Sequence, residues 1–334
     1  MKKFKIMMQV GLAVFFFSLL ATSTVLADDA DSEGWQFVQE NGRTYYKKGE
    51  IKETAWRMID GKTYYFDHVS GEMVVGWQYI PFPSKGSTIG PYPNGLRLEY
   101  MPMPKWYYFG QDGVLQEFVG KQVLEAKTAT NTNKHHGEQY DSLAEKRVYY
   151  FEDQRSYHTL KTGWVSDEGH WYYLQEDGGF DARINRLTVG ELARGWTNAN
   201  STWYYLDPET GIMQTGWQQL GNKWYYLRSS GAMATGWYQE GSSWYYLDAQ
   251  NGDMKTGWAY VGNKWYYLRS SGAMATGWYQ EGSTWYYLNA SNGDMKTGWF
   301  QVGGKWYYAY SSGALAVNTT VEGYYVNYNG EWIQ

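Results

Sequence analysis

A tryptophan preceded by glycine returns at Trp196, Trp217, Trp237, Trp258, Trp278 and Trp299, in steps of 21, 20, 21, 20 and 21 residues. A second tryptophan opens a Trp-Tyr-Tyr triplet seven residues after each, at Trp203, Trp224, Trp244, Trp265, Trp285 and Trp306. A period this short leaves few folds open. One unit cannot enclose a core, so it buries its apolar face only against neighbouring units, as in a solenoid. The units also alternate in pairs. Residues 221–258 and 262–299 align over 38 positions with three differences, Ser243/Thr284, Asp248/Asn289 and Gln250/Ser291.

Within a unit the pattern predicts a β-hairpin. Segments such as Gly-Trp-Tyr-Gln and Thr-Trp-Tyr-Tyr-Leu are rich in aromatic and β-branched residues, with a turn at Glu281-Gly282-Ser283. A symmetric turn centred between Glu281 and Gly282 would set Trp278 directly opposite Trp285, on one face. Alternation then puts Tyr287 on that face and Tyr286 on the other. A two-residue primed turn suits Gly282 but not Glu281, so the turn type stays open.

The first half carries the same unit in worn form. Trp35, Trp56 and Trp77 keep the rhythm, but Thr44 and Thr63 stand where a second tryptophan is expected. Partial copies follow at Trp106 and Tyr149, and Trp164 with Trp171 makes a complete pair. Residues 175–193 then interrupt the period. Six of the seven prolines lie between Pro81 and Pro104, which predicts an irregular loop. Residues 117–147 are polar and predict a short helix from Glu117 to Lys127. The fold expected is therefore all-β: a solenoid of ~20-residue hairpins, with loop inserts in the N-terminal half.

Lys2, Lys3 and Lys5 precede an apolar run, Val10 to Leu20, and small residues end at Ala27. This predicts an export signal cleaved after Ala27; the run is short for a membrane span. Removing it takes the net charge from −5 to −8, since it carries three lysines and no acid. The expected division is 1–27 signal, 28–190 degenerate repeats and 191–334 regular array. The chain has no cysteine, so disulfides contribute nothing to its stability. Its acidic balance disfavours nucleic acid and favours cationic ligands.

Little in the chain suggests catalysis. His135-His136 sits in a polar tract, and the Asp248 loop lacks the glycine and glutamate positions of a calcium loop. Glu152-Asp153 and Glu176-Asp177 are adjacent carboxylates without a set separation. Nucleophile-elbow, phosphate-loop and zinc-helix motifs are absent from the sequence. No enzymatic activity, cofactor or metal is expected. The aromatics could serve packing alone, with edge-to-face gains of about 0.5–1.5 kcal/mol per pair. Two tryptophans on one hairpin face with a tyrosine from the next unit would instead form an open-sided aromatic box. Such a box attracts a quaternary ammonium by roughly 0.5–2 kcal/mol per ring. A platform for sugar rings is the competing reading.

The stretch TGWYQEGSTWYYLNASNGDMKTGW, residues 276–299, resembles the choline-binding repeat of Gram-positive surface proteins. The likeness is strong over residues 195–317 and degenerate over 33–174. It implies a left-handed superhelix of hairpins with choline between successive hairpins. It further implies non-covalent attachment to phosphocholine of teichoic and lipoteichoic acids. Carried over, the family's sites are Trp196, Trp203 and Tyr226; Trp217, Trp224 and Tyr246; and Trp237, Trp244 and Tyr267. Next come Trp258, Trp265 and Tyr287, then Trp278, Trp285 and Tyr308. A sixth set, Trp299, Trp306 and Tyr325, lacks a tryptophan in its final repeat. Met233, Met254, Met274 and Met295 are the candidate closing residues. The resemblance also implies a role in restraining cell-wall hydrolases that share such repeats. The alternatives are an adhesin showing its N-terminal half to a host protein, and a glucan-binding array.

Overall fold

Each regular repeat folds as a two-stranded antiparallel hairpin. Gly257–Val261 pairs with Lys264–Leu268, and Gly277–Glu281 with Thr284–Leu288. The computed structural model describes residues 24–25, 34–81, 104–128, 139–140, 142–153, 158–176, 180–181 and 186–333. Among them there is no helix, and strands recur as hairpin pairs. The expected export segment (save Thr24 and Val25), the proline-rich insert between Pro81 and Pro104, and His135-His136 lie outside the described residues.

The hairpin register differs from the symmetric expectation by two residues. Trp278 lies opposite Tyr287, and Gln280 opposite Trp285, with Glu281 and Thr284 as the last pair before the turn. The turn is thus Gly282-Ser283. Gly282 has φ +60, a conformation that glycine reaches at no steric cost. In the neighbouring hairpin Gly262 and Asn263 both have positive φ, +56 and +64, the signature of a type I′ turn. Trp278 and Trp285 therefore share a face as diagonal neighbours rather than as a direct pair.

Each hairpin presents two different faces. One carries Trp278, Gln280, Trp285 and Tyr287; the other carries Tyr279, Glu281, Thr284, Tyr286 and Leu288. The leucine ending each triplet is fully buried at Leu206, Leu227, Leu247, Leu268 and Leu288. Burying each contributes about 2 kcal/mol. The connecting turn then reaches the preceding hairpin. The backbone N–H of Met254 donates to Trp224 O at 2.8 Å, and that of Met295 to Trp265 O at 2.8 Å. Lysines add cross-repeat ion pairs, such as Lys264 with Asp294 at 3.1 Å.

Two compact units result. The first comprises residues up to Gly163 with Leu174–Leu192, and the second Trp164–Tyr173 with Ala193–Gln334. In the first, the expected Glu117–Lys127 helix is replaced by a strand, Gly120–Thr128, paired antiparallel with Ser142–Phe151. Ladder hydrogen bonds to a distant segment outweigh the weak local preference for helix. The N-terminal hairpin also departs from the rhythm read at Trp35. Phe37, not Trp35, lies opposite Tyr46, where the regular repeats hold their first tryptophan.

Candidate aromatic boxes between repeats

In the repeats of Trp196, Trp237, Trp258 and Trp278 the two tryptophans meet edge to face. Ring centroids are 6.5 Å apart at 85° for Trp196–Trp203, 6.5 Å at 83° for Trp258–Trp265, and 6.4 Å at 85° for Trp278–Trp285. The tyrosine opposite in register packs on the first of them, as Tyr267 does on Trp258 at 5.2 Å. The next hairpin turns its other face toward this group. Tyr225 lies 4.9 Å from Trp196, Tyr245 4.9 Å from Trp217 and Tyr266 4.8 Å from Trp237. Tyr286 and Tyr307 stand 4.8 Å from Trp258 and Trp278.

The third wall is therefore the first tyrosine of the following triplet. Tyr226, Tyr246, Tyr267, Tyr287 and Tyr308 point the other way and join the tryptophan of their own hairpin. The physical reason is alternation. The last tyrosine shares a face with its own tryptophans, so only the middle one can look back at the preceding repeat.

The methionines fall at the boxes. Met233 N–H donates to Trp203 O, and Met274 N–H to Trp244 O. A cavity of about 380 Å³ is lined by Trp196, Trp203, Tyr225, Met233, Gln250 and Asn251. By the same cross-repeat bonds Met254 follows the Trp217–Trp224 box and Met295 the Trp258–Trp265 box. Leu315 replaces the methionine at Trp278–Trp285. The methionines need glycine beside them. A Cβ on Gly252 would lie 2.5 Å from Met233 Sδ, and Gly252 already has φ +76.

The last box is built differently from the expectation. Trp299, Trp306, Tyr324 and Trp332 line a cavity of about 340 Å³. Tyr324 rather than Tyr325 faces Trp299, at 5.7 Å and 86°. Trp332 N–H donates to Trp306 O, so this tryptophan occupies the methionine's place. The signal was present in sequence, since Gly330-Glu331-Trp332 repeats the spacing of Gly231-Ala232-Met233. The Trp164–Trp171 pair also gains a cross-repeat tyrosine, Tyr204 at 4.7 Å from Trp164, despite the irregular segment between. Met213 N–H bonds Trp171 O there.

A carboxylate marks alternate boxes. The Trp217, Trp258 and Trp299 indole N–H groups donate to Glu240, Glu281 and Glu322 at 3.0 Å each. Leu220, Val261 and Val302 hold the equivalent positions facing Trp196, Trp237 and Trp278. A carboxylate on the indole N–H enriches the ring face and adds negative potential, both of which favour a cation. In the same repeats Tyr238 stacks on Tyr226 at 3.9 Å and Tyr279 on Tyr267 at 3.9 Å. Burial, then the neighbouring tyrosine and glutamate, push the Tyr238 and Tyr279 hydroxyls up, so both stay neutral.

The boxes remain open. Trp203, Trp224, Trp244, Trp265, Trp285 and Trp306 are 38–44% exposed, a level at which packing gives little return. The worn copies are closed instead: Trp56 is 1% exposed, with Tyr107 at 5.0 Å and Thr63 at the second tryptophan's place. Asp248 is engaged in its own turn. Lys255 at 2.8 Å, then the Gln250 and Asn251 N–H groups, hold its carboxyl down at about 2. Among the described residues no three metal-ligating side chains cluster.

The choline-binding repeat family matches residues 214–256 and 255–300. The cell wall binding repeat family matches residues 54–67, 104–115, 162–180, 195–213 and 297–315. Among solved structures, CbpJ from Streptococcus pneumoniae TIGR4 is 71% identical, with a TM-score of 0.80, over 90% of this chain and 100% of that one. Choline binding protein F from Streptococcus pneumoniae is 59% identical, with a TM-score of 0.76, over 90% and 99%. A further structure of that protein was determined with a tetrasaccharide-pentapeptide peptidoglycan analogue, and another with ipratropium. Comparison with curated protein sequences returned no match.

Proposed function

Since the chain belongs to the family of choline-binding repeat proteins, we propose that it is a non-enzymatic cell-surface protein held to phosphocholine of teichoic and lipoteichoic acids. The observation that carries this reading is the recurrence of one open, three-walled box along the array. Its walls are two perpendicular tryptophans and a tyrosine from the next repeat. Rings facing a common centre suit a trimethylammonium group, which has a delocalised charge and no hydrogen to donate. Ipratropium, bound by soaking to choline binding protein F, is itself a quaternary ammonium.

One box is weak, but several on one chain bind polymeric choline with a gain of about 10²–10⁴ over a single site. The protein should stay on a choline or diethylaminoethyl matrix and leave it with free choline. Passage straight through the column would overturn the reading. Because the described residues consist of such hairpins and their inserts, the protein would also occupy wall sites that choline-dependent hydrolases need. Added protein should slow choline-dependent wall lysis, and a variant with Trp→Ala throughout the array should not. Equal lysis with and without the protein would remove this second role.

A further inference from the structure

The first unit contains a box of the same build that the chain itself has filled. Trp77 lies opposite Tyr108 in register, and Tyr79 opposite Trp106, as Trp258 does with Tyr267 and Tyr260 with Trp265. Trp77 and Trp106 are 6.4 Å apart at 80°, against 6.5 Å and 83° for Trp258 and Trp265. Tyr149, first tyrosine of the next triplet, is 4.7 Å from Trp77, matching Tyr286 at 4.8 Å from Trp258. Leu160 stands at the methionine position, its N–H bonded to Trp106 O at 3.0 Å. Every wall of an open box is present.

The ammonium of Lys127 sits inside it, 4.4 Å from the Trp77 ring centroid, 4.1 Å from Tyr149 and 5.5 Å from Trp106. Lys127 is fully buried, and so is Trp77. The strand Gly120–Thr128, which has no counterpart in the regular repeats, delivers this lysine. It is fastened to the box at two more points. The Trp77 indole N–H donates to Glu125 O at 2.8 Å, in place of the glutamate carboxylate used by Trp258. The Tyr108 hydroxyl donates to Glu125 Oε2 at 3.1 Å.

We propose that the Trp77–Trp106–Tyr149 cage is a latent quaternary-ammonium site, closed by the Lys127 ammonium as a permanent internal occupant. This assignment rests on the choline reading of the array for its ligand class. A desolvated ammonium facing three aromatic rings makes the contacts that a bound trimethylammonium would make. The plug turns a ligand site into a fastener, so the first unit keeps this cage filled whether or not choline is present. Removing the side chain opens the cage to choline or tetramethylammonium.

The test uses the full chain. Bound choline per chain, measured by equilibrium dialysis, should rise by one in Lys127→Ala. It should stay at the wild-type count in Lys127→Met, which refills the space without charge. An unchanged count in folded Lys127→Ala overturns the proposal. Independently of folding in the variant, ε-carbon-labelled lysine in the wild-type protein reports the plug by NMR. The Lys127 ε-methylene protons should be shifted strongly upfield by the rings and should stay there at saturating choline. Ordinary lysine positions, or a return to them on adding choline, would overturn it. If the array bound no choline at all, every dialysis count would be zero, while the NMR signal would still report the occupied cage. If wild type binds and only the variant fails to gain a site, this inference alone falls.

Discussion

At the scale of the residue, the assignment of each tyrosine follows from a single turn. Shifting the turn by one residue, to Gly282-Ser283, moves the register by two and sends Tyr286, not Tyr287, to the Trp258 box. Tyr286→Ala should therefore weaken the Trp258–Trp265 site by the value of one ring, about 0.5–2 kcal/mol, or roughly 2- to 30-fold. Choline titrations of the variant would show one weakened site of the set; an unchanged isotherm would contradict the assignment. The carboxylates make a second prediction. Glu281→Gln keeps an acceptor for the Trp258 indole N–H but removes the charge. It should weaken the same site several-fold at low salt and less at high salt, because exposed charges are screened. Val261→Ala, beside a box without a carboxylate, should show no such salt dependence.

At the scale of the element, the hairpin and its period were legible in the sequence, because alternation and spacing are local properties. The register was legible in principle, since a primed turn favours glycine, asparagine or aspartate at its first position and Gly282, not Glu281, meets that preference. The strand Gly120–Thr128 was not. Its partner lies at Ser142–Phe151, beyond a polar tract, and nothing local in Lys121–Lys127 distinguishes a strand from a helix. The Lys127 plug was hidden for the same reason. Two predictions belong here. Gly252→Ala places a Cβ against Met233 Sδ at a positive φ, and should cost on the order of 2 kcal/mol in a urea unfolding curve. Burial, then the Glu125 carboxylate, push the Tyr108 hydroxyl from 10.0 to about 12. The unfolded chain then releases this proton first, so the stability it reflects is intact below pH 10 and lost as pH rises from about 10 toward about 12. Tyr108→Phe should remove that part of the alkaline decline; an identical decline in both proteins would contradict it.

At the scale of the whole molecule, a short repeat forces an aromatic surplus to do two jobs. Leucines and the buried faces of tyrosines hold neighbouring hairpins together, while the second tryptophan of each repeat stays about two-fifths exposed. In the first unit the same geometry is spent on packing, with threonine for tryptophan at Thr63 and an internal cation at Trp77. The central claim is that the open boxes recognise a quaternary ammonium by its charge as well as its shape. Tryptophan fluorescence of the full chain, titrated with choline and with its neutral isostere 3,3-dimethylbutan-1-ol, tests this most directly. Saturable change with choline and at least about tenfold weaker response to the isostere, a difference of about 1.4 kcal/mol, is the predicted result. Equal responses to the two, or no response to choline, would contradict it.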